Sequence, residues 1–176
     1  MKYLTNFILK TLSILSLIAQ VLFSIASIGV IIATIMMFIV SGDSKSELYT
    51  YVIEPQNLTR LSLLGGCLNA LIILICLIIT MRSLRNIVNN IYQQHSFVES
   101  NLKNIKVMLA TVSIFTIANI ISLFLFAGNS EKPISNIFAN TWSQIGIYGI
   151  FIAILYTIYL VFKYGVELQE DSNSVI

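Results

Sequence analysis

The sequence predicts an all-α integral membrane protein, a four-transmembrane-helix bundle with cytoplasmic N and C termini and a cytoplasmic helical extension between spans 2 and 3. Three observations predict it: an apolar composition, four uncharged runs each long enough to cross a bilayer, and an uneven distribution of Lys and Arg around them. Of the 176 residues, 57% are hydrophobic and 10% are charged, with a mean hydropathy of +0.88. A water-soluble domain needs more polar surface than this.

Crossing roughly 30 Å of hydrocarbon takes about 20 apolar residues in an α-helix. Thr11–Gly42, Leu61–Met81, Val107–Ser130 and Pro133–Phe162 each meet that length and contain no Asp, Glu, Lys, Arg or His. They place the spans at about 12–40, 61–81, 107–128 and 142–162, all within one transmembrane domain covering residues 1–176. Lys2 and Lys10 precede the first run as in a secretory signal, but the run continues unbroken to Val40. A signal core is only about 7 to 15 residues long, so this one reads as a retained span.

Orientation follows from the basic residues in short loops. Lys2, Lys10, Arg82, Arg85, Lys103, Lys106 and Lys163 fall on one side, against Lys45, Arg60 and Lys132 on the other. The side with more positive charge is expected to be cytoplasmic, giving a multi-pass membrane protein. Tyr49, Tyr51 and Trp142 then lie near the outer interface, and Tyr92 and Tyr164 near the inner one, where amphipathic rings are favoured.

Polar side chains in hydrocarbon are costly unless paired, so their spacing marks the inward face of each span. In the first, Ser13, Ser16, Gln20, Ser24, Ser27 and Thr34 fall within about 40° of Gln20 on a helical wheel. In the second, Ser62, Gly65, Asn69, Cys76, Thr80 and Ser83 share a similar arc. Spacings near seven residues are those of a left-handed helix seam. Thr111, Thr116, Asn119 and Ser122 form the face of the third span, and Gln144, Tyr148, Tyr156 and Tyr159 that of the fourth. Gln20, Asn69, Asn119, Gln144 and Tyr148 are therefore the candidate bundle-interior polar residues. Such residues serve helix packing first and a substrate path second. A proton- or ion-coupled carrier ordinarily needs an ionisable group in the membrane, and these runs hold none.

Between Arg82 and Lys106 the helical pattern continues: Leu84, Ile87, Val88, Ile91 and Tyr92 recur at the spacing of one helix face. Gln93, Gln94 and His95 read as a turn. Ser96 and Glu99 fit a capping box that starts the next helix, with Leu102, Ile105 and Leu109 on its apolar side. Residues 82–106 are thus expected to form a cytoplasmic helix pair and 163–176 a C-terminal tail. The four basic residues of the pair serve topology first; contact with a partner or with anionic head groups is the second reading.

Two cysteines and one histidine offer no metal or redox set, and no cofactor is expected. Cys67 and Cys76 fall on nearly opposite faces of one helix. His95 reads as a polar turn residue. Asn57-Leu58-Thr59 is a sequon by pattern alone. A net charge of +2 without a dense basic cluster argues against nucleic acid as a direct ligand. With no grouping of nucleophile, base and orienting residue, the chain is not expected to be an enzyme.

Two segments resemble a bacterial membrane family catalogued as domain of unknown function 2975. The first is Leu84-Arg85-Asn86-Ile87, then Ser96-Phe97-Val98-Glu99-Ser100-Asn101 and the basic stretch from Lys103 to Lys106. The second is Phe162-Lys163-Tyr164-Gly165-Val166-Glu167-Leu168-Gln169-Glu170-Asp171. The final Asn173-Ser174-Val175-Ile176 departs from the family's acidic, Leu, Thr, aliphatic ending. The resemblance implies four spans and, because such members are often encoded beside a small Cro/repressor-type helix-turn-helix regulator, a cytoplasmic protein partner of that kind. The candidate partner-facing residues are Arg82, Arg85, Phe97, Glu99, Asn101, Lys103, Lys106, Gly165, Leu168 and Glu170. The expectation is a non-enzymatic regulatory or interaction protein of the lipid bilayer. The alternative is a small transporter, or an immunity protein against a membrane-active peptide.

Overall fold

The computed structural model of the chain describes residues 2–40, 60–126 and 142–174. These form four α-helices: α1 (Lys2–Val40), α2 (Arg60–Tyr92), α3 (Glu99–Phe126) and α4 (Trp142–Ser174), with no strand among the described residues. All four are long and apolar enough to cross a membrane. At 1.5 Å per residue α1, the longest at 39 residues, extends about 58 Å, and α3, the shortest at 28, about 42 Å. Both exceed a bilayer core of roughly 30 Å, so part of every helix lies beyond it when the chain is embedded. Tyr49, Tyr51 and the sequon fall outside the described residues.

Each helix packs mainly against its neighbour in sequence, α1 on α2, α2 on α3 and α3 on α4. Among the described residues α1 and α4 have no extensive contact with each other. The physical reason lies in the side chains. α1 and α4 each bury one narrow stripe and expose Leu, Ile, Val and Phe around the rest, a surface that lipid solvates as well as another helix does.

The polar stripe of α1 is that buried edge. Ser16 is buried and Ser13, Gln20, Ser24, Ser27 and Thr34 are half-buried. Ser13 meets Asn89, near the far end of α2, while burial continues to Thr34. The two helices therefore run antiparallel. Between α2 and α3 the seam is bonded directly. Asn69 Nδ2 donates to the Ala118 carbonyl at 3.0 Å and to Ser122 Oγ at 2.9 Å, and the hydroxyls of Thr80 and Thr111 bond each other at 2.9 Å.

The apolar core sits toward the end of the molecule that carries the α2–α3 turn. Ile87, Ile105, Met108, Val112 and Leu155 are buried together, with Leu84, Ile91, Ile152, Tyr159 and Phe162 packed around them. α2, α3 and α4 all contribute. α2 stays helical for about three turns past Arg82, so Ile87 and Val88 are buried in the extension that the sequence pattern anticipated.

Candidate functional site

The turn from α2 to α3 ends α2 in a Schellman arrangement. His95 N–H donates to the Asn90 carbonyl at 2.9 Å and Gln94 N–H to the Ile91 carbonyl at 3.0 Å, with Gln94 left-handed at φ 66°. Glycine usually holds that position, because an L side chain there crowds its own backbone. α3 begins at Glu99, later than a box capped by Ser96 requires, and the Val98 carbonyl receives the first bonds, from the Asn101 and Leu102 amides. The expected capping box is thus displaced. Asn101 performs the closing instead.

Asn101 is wholly buried, at 0% exposure. Its Oδ1 accepts from Asn90 Nδ2 at 2.7 Å, and its Nδ2 donates to the His95 and Ser96 carbonyls, both at 2.9 Å. Asn90 Nδ2 also donates to Ser100 Oγ at 3.1 Å. One residue earlier, Asn89 Oδ1 accepts from Ser13 Oγ of α1 at 2.7 Å. Adjacent asparagines on the last turns of α2 thus hold the neighbouring helices on both sides. This corrects the expectation that Asn101 faces a partner: its amide is consumed within the turn, because two carbonyls that neither helix satisfies need its donors.

Fixing this turn presents Phe97 to the far end of α4. The Phe97 ring lies on Gly165 so closely that a Cβ at that position would stand 2.6 Å from Cε1, and nearer still to Cδ1. Phe162, one turn earlier on α4, meets the same ring at a centroid distance of 5.5 Å. The two segments singled out in the sequence, some seventy residues apart, are therefore in contact. Gly165 is covered rather than presented, and Phe97 keeps 42% of its surface exposed.

Around that contact the other candidates are accessible. Glu99, Lys103 and Lys106 share the exposed back of α3; Arg82 is exposed and Arg85 half-buried on α2; Leu168 and Glu170 are exposed on α4. Leu168, at 69% exposure, and Tyr164 give the end of α4 an apolar component beside its acidic residues. Lys163 Nζ lies 3.7 Å from Glu167 Oε1, an exposed pair of little energetic weight.

Of the interior candidates, Asn69 and Asn119 are buried and Gln20 and Tyr148 half-buried. Asn119 Nδ2 donates within its own helix, to the Phe115 carbonyl at 2.7 Å. Tyr148 meets Phe115 edge-on at 5.0 Å. Gln144 and Tyr156 are exposed, against expectation. The buried side chains of α4 among the described residues, Leu155 and Val166, lie in its second half, whereas Gln144 lies near its start; Tyr156 stacks on Tyr159 at the edge of the packed face. Cys67 and Cys76 are free thiols, and among the described residues no three His, Cys, Asp or Glu side chains are grouped to hold a metal ion.

Sequence reasoning missed Asn89 and Asn90, whose partners lie on other helices. The paired asparagines next to a turn were the available signal. The class these features define is an all-helical chain of four potential membrane spans whose polar side chains join helix to helix. Comparison with family models, with curated proteins and with solved structures gives no match.

Proposed function

We propose that this chain is a multi-pass bacterial membrane protein with a non-enzymatic regulatory or interaction role, displaying the α2–α3 turn and the end of α4 together to a cytoplasmic protein. The observation that carries the reading is the seat of Phe97 on Gly165, which joins two distant segments into one surface. Such a surface combines the features of a docking patch: a partly exposed aromatic in Phe97, an exposed apolar side chain in Leu168, and charges of both signs at Glu99, Lys103 and Glu170 around them. Basic residues toward this end, from Lys10 on α1 to Lys163 on α4, support its placement on the cytoplasmic side. A small helix-turn-helix regulator is the partner that the family resemblance implies.

Purification in detergent together with any small helix-turn-helix regulator found encoded beside the gene tests this. The wild type is expected to retain the regulator, and Leu168→Arg and Arg85→Glu to release it while preserving helix content. A wild type that never retains the regulator, or a regulator whose target expression ignores both variants, removes the proposal.

A further inference from the structure

The uncharged run within α1, Thr11–Val40, is longer than the layer it is to cross. Its 30 residues extend about 45 Å, whereas the run of α2, Leu61–Met81, extends about 32 Å. Fitting the longer run into roughly 30 Å by tilt alone needs about 50°, beyond the usual 0 to 40° of membrane helices. α1 cannot lean that far from α2 while its stripe from Leu9 to Thr34 stays packed.

The Ser13–Asn89 bond sets the depth of α1 against α2. Counting along the antiparallel pair, Gln20 stands about level with Arg82, and the α1 backbone at Val40 about level with the first turn of α2. α1 is therefore flush at one end and overshoots at the other. Leu12, Ile14, Leu15, Leu17 and Ile18 are exposed at depths where α2 and α3 carry Arg82, Arg85, Lys103 and Lys106.

The seam repeats at the spacing that a slide would need. Asn6, Ser13, Gln20, Ser27 and Thr34 recur every seven residues on α1, the helix that would move. A shift by one heptad thus restores like against like. The α1 hydroxyls also grip α2 weakly: Ser16, Ser24, Ser27 and Thr34 donate to carbonyls of α1 itself at 2.7 to 2.9 Å. α2 and α3, by contrast, are locked by side-chain bonds at Asn69, Thr80 and Asn90.

We propose that α1 is a sliding helix with two registers on α2, one heptad apart. In the register seen here Ser13 holds Asn89. In the second, α1 moves about 10 Å toward the opposite face, and Asn6, now exposed, takes the place of Ser13. Lys10 then rises to the level of Arg85 and Lys106, and the exposed aliphatic stretch enters the hydrocarbon. A similar apolar length of α1, from Ile35 to Val40, leaves it at the other end. The exchange is nearly even, which keeps both registers accessible. The inference rests on the membrane reading above and supplies it with a means of passing a signal from one face to the other.

Disulfide trapping in native membranes tests it, in a background with Cys67→Ser and Cys76→Ser. The pairs Ser13→Cys/Asn89→Cys and Asn6→Cys/Asn89→Cys are both expected to cross-link, each about ten-fold faster than the off-seam control Ile8→Cys/Asn89→Cys, because only seam positions bring Cβ atoms within disulfide reach. Ile18→Glu, which tolerates only the register seen here, is expected to abolish the Asn6 cross-link and spare the Ser13 one. Cross-linking through Ser13 alone overturns the slide and leaves the membrane reading intact. Cross-linking through neither overturns the α1 packing on which the slide depends. Recovery of the protein in the aqueous fraction instead overturns the membrane reading itself.

Discussion

The aromatic ring of Phe97 occupies the space that a side chain at Gly165 would fill. Phe97 leaves the α2–α3 turn and Gly165 lies far along α4, so their contact joins the two ends of the proposed docking surface. Phe162 supports the ring from one helical turn away, at 5.5 Å between centroids.

Gly165→Leu is therefore expected to expel the ring and detach the end of α4 from the turn. Overpacking of this kind costs about 1 to 3 kcal/mol, and the loss is read as a lower midpoint of thermal unfolding in detergent. Phe97→Ala combined with Gly165→Leu should recover part of it, since the clash is then gone. Equal midpoints for wild type and Gly165→Leu would contradict the seat described here.

Asn101→Ala removes one acceptor and two donors from the turn at once. Each buried group left unsatisfied costs about 1 to 3 kcal/mol, reduced here because His95 is exposed and Ser96 only half-buried, so a net loss of about 2 kcal/mol is expected. Hydrogen exchange localises it: the amides of Gln94 and His95 should lose protection while those near Asn69 keep theirs. Asn101→Asp is expected to behave like the alanine variant, because a carboxylate cannot donate to the His95 and Ser96 carbonyls.

The Asn69–Ser122 bond joins α2 to α3 at 2.9 Å inside an apolar stretch. A double-mutant cycle of Asn69→Ala and Ser122→Ala is expected to give a coupling of about 0.6 to 1.7 kcal/mol, the range of such bonds between membrane helices. A coupling indistinguishable from zero would mean that Asn69 is held by the Ala118 carbonyl alone.

Sidedness has its own readout. In a background lacking Cys67 and Cys76, His95→Cys and Glu170→Cys are expected to react with a membrane-impermeant maleimide only after the cells are opened. Trp142→Cys, at the start of α4, should react from outside. Labelling of the first two on intact cells would reverse the orientation inferred from the basic residues.

The features legible in the sequence were those with a local period. Ser13, Ser16 and Gln20 on α1, and Asn69, Cys76 and Thr80 on α2, mark the packed edges because a helix brings every third and fourth residue to one face. The continuation of α2 past Arg82 was legible for the same reason, through Ile87 and Val88. Less legible was the start of α3, where Ser96 and Glu99 have the pattern of a capping box but Asn101 closes the turn. Gln144 shows a second limit. It lies on the polar face by angle, yet it is exposed, and the buried residues of α4, Leu155 and Val166, lie further along the helix.

The amino-acid sequence by itself determined the four helices, their apolar length and the polar edge that α1, α2 and α3 turn inward, because these depend on short-range geometry and on the kind of solvent that surrounds the chain. Only the tertiary structure decided that Asn101 is a buried clasp, that Ser13 meets Asn89, that Phe97 rests on Gly165, and that α1 and α4 each pack mainly on one neighbouring helix. Those relations join residues far apart along the chain, and no local period records which helix edge meets which, or at what depth.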